Sequence, residues 1–162
     1  MMVVCNATPL INFAAINRLD ILQATFSKIV IPQAVRNETT VAGFPASEFV
    51  LQAIAAKWLQ VQPISSITAN IPSELDEGER EAITLALETD ESQILLDERE
   101  ARQVAQSLGL QVIGTLGILL LAKKRGIITQ AQPVLDGMID HAQYWVSRSL
   151  YEQVLRQAGE LV

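Results

Sequence analysis

Five short apolar runs, at residues 2–5, 29–31, 59–61, 94–96 and 111–113, alternate along this chain with segments of helical periodicity. Runs of three or four residues are too short for buried helices. Regular alternation with amphipathic helices predicts βαβ units, and therefore a parallel sheet covered on both faces. The fourth run carries the most information. In Ile94-Leu95-Leu96-Asp97-Glu98 an apolar stretch ends abruptly in two carboxylates. A run of this kind reads as a fully buried parallel strand. Ligands of open α/β sheets bind outside the carboxyl ends of such strands, where Asp97 and Glu98 are expected to lie.

Helix punctuation supports this order. Thr8 followed by Pro9 reads as an N-cap with proline at the first helical position. Pro32 opens a helix directly after the second run. From Glu98 onward Ala101, Val104, Ala105 and Leu108 follow helical spacing, and Gly109 stops the helix. Thr115 is expected to cap the next helix, which ends in Lys123-Lys124-Arg125, cations that complement a helix C-terminus or, as the lesser alternative, contact an RNA phosphate. Two further helical patterns, 130–139 and 147–158, read as additions covering the sheet edge or a partner surface.

With 162 residues, 49% of them apolar, the chain is expected to form one domain over 1–162, with residues 126–162 a helical extension packed on it. The lone Cys5 leaves no internal disulfide and suits a reducing compartment. The N-terminus lacks a basic region and a small-residue cleavage site, and the longest apolar tract is too short to span a bilayer. The expected location is the cytoplasm, with no membrane partner. A net charge of −6 argues against a general nucleic-acid coat, which binds by neutralising phosphates. One His and one Cys leave no soft zinc site, so a metal here would be a hard cation taking oxygen ligands.

Acids gather at the helix starts and strand ends. Glu38 shares a helix face with Ala34 and Val35, and Glu79 shares one with Ile83 and Ala86, while Glu77, Glu81 and Glu88 fall on the opposite, wet face. Asn6 follows the first run. Acids on a core-facing stripe are costly unless something satisfies them. A shared Mg²⁺ or Mn²⁺ is the economical explanation, and phosphodiester hydrolysis by in-line water attack suits it best. Each acid also has a plainer role open to it. Asp76 and Glu79 fit a capping box, Asp97 fits an N-cap, Glu98 fits a first-turn acid, and Glu38 fits a surface residue. Arg99 and Arg102 follow Asp97 and are placed to hold a substrate phosphate, unless Arg102 pairs with Glu98 at i, i+4. Trp58 and Trp145 read as packing residues, and His141 as a solvated one.

These motifs occur in an order that resembles the PIN-domain family. They are Val4-Cys5-Asn6-Ala7-Thr8-Pro9-Leu10-Ile11, Ile31-Pro32-Gln33-Ala34-Val35-Arg36-Asn37-Glu38, Leu75-Asp76-Glu77-Gly78-Glu79-Arg80-Glu81-Ala82-Ile83, Leu95-Leu96-Asp97-Glu98-Arg99-Glu100-Ala101-Arg102 and Gly114-Thr115-Leu116-Gly117. The resemblance, to a PIN-like subfamily of prokaryotic proteins similar to VapC-type toxins, implies a three-layer α/β/α fold. Its five-stranded parallel sheet would have the order 3-2-1-4-5, with the extra C-terminal helices added. It further implies an acidic site holding Mg²⁺ or Mn²⁺ for RNA cleavage, a small antitoxin protein as partner, and a homodimer. Carried over by position, Glu38, Glu79 and Asp97 are the catalytic acids and metal ligands. Asn6 stands where typical members have an aspartate, Thr8 matches a small hydroxyl residue at the site, and Thr115 falls in the loop after strand five.

Asn6 is the departure with consequences. Removing one negative charge about 4 Å from a divalent ion forfeits on the order of 8 kcal/mol of gross Coulomb energy at an effective dielectric of about 20, before desolvation offsets much of it. Glu98, reaching inward, would restore that charge. Two functions follow: a metal-dependent ribonuclease acting as a toxin, or a catalytically weakened PIN-like binding module that keeps a protein partner. A phosphate-binding regulator is disfavoured by the lack of a Gly-x-Gly-x-x-Gly or a Walker lysine loop.

Overall fold

The computed structural model describes residues 2–68 and 70–161; Met1 and Val162, the bounds of the expected domain, and Ala69 lie outside the described residues. The chain runs β1 (Met2–Cys5), α1 (Ala7–Ala15), α2 (Leu19–Phe26), β2 (Lys28–Ile31), α3 (Gln33–Thr39), α4 (Ser47–Ala55) and β3 (Leu59–Val61). It continues through α5 (Glu77–Glu88), β4 (Gln93–Leu95), α6 (Arg99–Ser107), β5 (Gln111–Ile113), α7 (Thr115–Lys124), α8 (Ala131–His141) and α9 (Arg148–Gln157). All strand pairs are parallel and the order is β3-β2-β1-β4-β5. The expected sheet is therefore present, in the expected order.

Strand side chains alternate between two apolar layers, as the two-residue period requires. Val3, Cys5, Ile29, Ile31, Leu59 and Leu95 pack on the side of α1, α2, α4 and α7, whereas Val4, Val30 and Ile94 pack with residues of α5 and α6. Both faces are covered, which is why the central runs 2–5, 29–31 and 94–96 are apolar throughout rather than alternating. After β3 the chain crosses back over the sheet and lays β4 against the free side of β1. This reversal places a topological switch point between the ends of β1 and β4, where Asn6, Asp97 and Glu98 leave the sheet. The backbone N–H of Asn6 donates to Leu95 O at 2.9 Å, holding those ends together.

Several local expectations change. Asn6, not Thr8, is the N-cap of α1, and Gly114, not Thr115, is the N-cap of α7. In both cases the helix begins directly from the strand end, so the threonine lies inside the first turn and its hydroxyl bonds elsewhere. Gly109, at φ +89°, does end α6 in the left-handed conformation. Glu81 is half-buried rather than on a wet face: it accepts the Ala34 N–H at 3.1 Å, tying α5 to the start of α3. The terminal helices pack chiefly on other helices. α8 packs on α1 and α7, α9 packs on α7, and Val134, Leu135, Met138 and Val154 join the main core. Glu160 fixes this layer by accepting the N–H groups of Ala131 and Gln132, at 2.7 and 2.9 Å, and pairing with Lys123 at 2.9 Å. His141 closes α8 and is exposed. Among the described residues no helix is long and apolar enough to cross a membrane.

Candidate metal and nucleic-acid site

Asn6 leaves β1 with its side chain buried, the residue being only 3% exposed. Its Nδ2 donates to Glu98 Oε2 at 3.3 Å, and the carboxylate thereby fixes which way the amide faces. Asn6 Oδ1 is left buried with no hydrogen-bond partner. An unsatisfied buried carbonyl oxygen costs about 1–3 kcal/mol. It lies close to Gly78, near the N-terminus of α5. A Cβ at Gly78 would lie 3.5 Å from each of three oxygens, Asn6 Oδ1, Asp76 Oδ1 and Glu38 Oε1. The missing side chain thus leaves room among oxygen donors from three different segments.

Glu79 serves two purposes. Its N–H donates to Asp76 Oδ1 at 2.7 Å and its Oε2 accepts the Asp76 N–H at 3.0 Å, so the capping box is fully formed. Its side chain is nonetheless buried beside other acids. Burial raises its pKa, the Asp76 N–H opposes this, and the charges of Asp76, Glu98 and Glu38 raise it further. Glu38 is exposed as a residue, contrary to the buried stripe expected of it. Its carboxyl turns toward the same group, where desolvation and the charges of Asp76 and Glu98 raise its pKa.

Asp97 is locked from the other side. Its Oδ1 accepts the Thr115 N–H at 2.8 Å, its Oδ2 accepts the Thr115 hydroxyl at 2.6 Å, and Thr115 Oγ1 in turn accepts from buried Asn12 at 3.1 Å. Burial raises the Asp97 pKa most; the Thr115 bonds lower it, Glu98 raises it and Arg102 lowers it. Gly114 permits this closeness, since a Cβ there would meet Asp97 Oδ1 at 2.9 Å and Arg102 Nη1 at 3.0 Å.

Glu98 is the N-cap of α6, the position expected for Asp97, but its side chain caps nothing. It accepts instead from Asn6 and from the Thr8 hydroxyl. Its charge acts on Glu38, Glu79 and Asp97 alike. The residue expected to be an accessory is the centre of the acid group.

The arrangement is therefore an arc around Glu98. Asn6, Glu38, Asp76 and Glu79 gather on one side, and Asp97 lies on the β5 side with Thr115 and Arg102. Among the described residues no three Asp, Glu, His or Cys side chains stand together closely enough to hold a metal ion as placed. In this arrangement Asp97 is held by Thr115, Glu79 by the Asp76 N–H, and Glu98 by Asn6 and Thr8. Asp76 and Asn12 were not foreseen as site residues; the capping-box spacing was the only signal for Asp76, and Asn12 had none.

The expected substrate contacts divide. Thr115 is fully buried and the half-buried Thr8 donates to Glu98, so both position acids. Arg99 is exposed at the first position of α6, and Arg102 is half-buried beside Asp97, with no ion pair to Glu98 among the described residues. Trp58 packs against the core, whereas Trp145 is 82% exposed and is not the packing residue expected.

A family model described as PIN domain matches residues 2–160. No curated protein matches the chain. Among solved structures, a PilT N-terminus domain protein from the hyperthermophilic archaeon Sulfolobus solfataricus P2 superposes with a TM-score of 0.54 at 18% identity, covering 75% of this chain and 93% of that one. That likeness concerns the fold alone. With the acids at the switch point of a 3-2-1-4-5 sheet and a family match over nearly its whole length, the chain belongs to the PIN-domain family, whose members are generally nucleases.

Proposed function

We propose that this protein is a divalent-metal-dependent endoribonuclease, the toxin half of a type II toxin–antitoxin pair. In this reading it works in the cytoplasm as a homodimer restrained by a small antitoxin protein. The observation that carries the catalytic part is the orphaned Asn6 Oδ1, buried and facing the space that Gly78 leaves beside Asp76 and Glu38. The donors are all oxygen, the set that Mg²⁺ and Mn²⁺ prefer. Asn6 and Glu38 would hold the ion from one side of the arc, Glu79 and Asp97 would have to turn in to reach it, and Glu98 would supply the charge that Asn6 lacks. When bound, such an ion polarises a phosphoryl oxygen and lowers the pKa of water.

The chain's own residues do the rest. Thr115 and Asn12 fix the orientation of Asp97, and Asn6 and Thr8 fix that of Glu98. Arg99 and Arg102, on the first turn of α6, supply charge-assisted donors for the phosphate.

The test is cleavage of single-stranded RNA with Mn²⁺, comparing the natural protein with Asp97→Asn. Cleavage that falls at least about a hundredfold in the variant supports the reading. Absence of cleavage by both proteins overturns it and leaves a PIN-fold binding module.

A further inference from the structure

A cleft of about 580 Å³ opens on the β5 side of Asp97, lined by Arg102, Ile113, Gly117, Tyr144 and Trp145 as well as Asp97 itself. Its size lies within the range of about 300–1,000 Å³ typical of small-molecule sites. One wall comes from β5 and α7 and the other from the segment joining α8 to α9. Gln143, at φ +55°, takes a left-handed backbone conformation just before Tyr144 and Trp145. At the mouth stands the indole of Trp145, 82% exposed, with Leu150, 41% exposed, nearby.

We propose that this cleft is a nucleobase subsite, holding one unpaired base of a single-stranded substrate beside the acid group. The inference rests on the nuclease reading above and names what that site would grip. Two observations select a base over other occupants. The cleft combines the aromatic surfaces of Tyr144 and Trp145, an apolar lining and the Arg102 guanidinium beside Gly114, which suits a flat π-system joined to a phosphate. Asp97 also belongs to both the cleft and the acid arc, so a phosphodiester at the acids brings an adjoining nucleoside to the cleft. Gly117 keeps the floor clear, since a Cβ there would already press on Ile113 Cγ2 at 3.2 Å.

The test is fluorescence titration in chelator, which blocks metal-dependent cleavage. Trp58→Phe, altering a residue remote from the cleft, leaves Trp145 as the only indole. A short single-stranded RNA is expected to quench this emission saturably. The same RNA made abasic at one position, and a duplex of equal length, are expected to quench it weakly. In the natural background Trp145→Ala is expected to weaken binding about tenfold and raise the KM for cleavage, with Trp145→Phe restoring most of the loss. Equal binding of abasic and intact strands overturns the proposal. So does a Trp145→Ala protein that cleaves RNA with unaltered KM, an outcome that leaves the nuclease reading intact. Loss of dimerisation in Trp145→Ala, measured by sedimentation with RNA affinity unaltered, identifies the face as a protein contact and likewise overturns it. Saturable, base-dependent quenching by a protein that cleaves nothing supports the subsite and refutes the nuclease.

Discussion

At Asn6 the chain places a neutral amide among carboxylates, and the amide oxygen is the atom left without a donor. Asn6→Asp is expected to tighten Mn²⁺ binding by at least about tenfold by isothermal titration calorimetry. A tenfold change requires roughly 1.4 kcal/mol, a small part of the gross Coulomb gain from the added charge before desolvation. Without metal the same variant is expected to melt at a lower temperature, because the Glu98 carboxylate already stands against that side chain and a second anion adds repulsion. Asn6, Asp97 and Glu98 were legible in the sequence because each lies at the end of an apolar run, and strand ends are where a parallel sheet exposes polar groups. The roles of Thr8 and Thr115 were not. Thr8 bonds to a residue 90 positions away and Thr115 to one 18 positions away, and no local pattern carries that information.

Strands are the elements that the sequence specified most sharply. The three central runs have no polar position, so neither an amphipathic helix nor a strand with one wet face can accommodate them. Helix starts were less legible, since a threonine before a proline fits both an N-cap and an interior position, and tertiary partners decide between them. The start of α5 allows structure and chemistry to be separated. Glu79→Gln keeps a side-chain acceptor for the Asp76 N–H, and glutamine serves at that position of a capping box. Its stability in urea unfolding at neutral pH is expected to be at least that of the natural protein, because the bond to Asp76 is kept and a buried charge is removed, while its Mn²⁺ affinity falls. Glu79→Ala is expected to lose both, with about 1 kcal/mol of stability going with the cap. Equal metal affinity in all three proteins would reduce Glu79 to a capping residue.

For the whole molecule the clustered acids set the pH dependence. Glu38, Glu79 and Asp97 all have folded-state pKa values raised above their ordinary values, chiefly by desolvation. Between the ordinary and raised values the folded protein binds more protons than the unfolded chain, so stability increases as pH falls through that window. Glu160 acts in the opposite direction: burial disfavours its charge, but the N–H groups of Ala131 and Gln132 and the Lys123 ammonium outweigh this and lower its pKa. With three groups against one, the melting temperature in chelator is expected to rise on mild acidification from neutral pH. Added Mn²⁺ is expected to raise it most at neutral pH and least in acid, because protons and cation compete for the same oxygens. Scanning calorimetry at several pH values, with and without Mn²⁺, checks both trends.

The central claim, that the orphaned amide and its neighbouring carboxylates form a cation site, is tested most directly by anomalous scattering from crystals soaked in Mn²⁺ at neutral pH. The account predicts a peak within direct coordination distance of Asn6 Oδ1, shared with the Glu38 carboxylate and with acids of the arc around Glu98. A fully occupied Mn²⁺ elsewhere, with no peak beside Asn6, would contradict it.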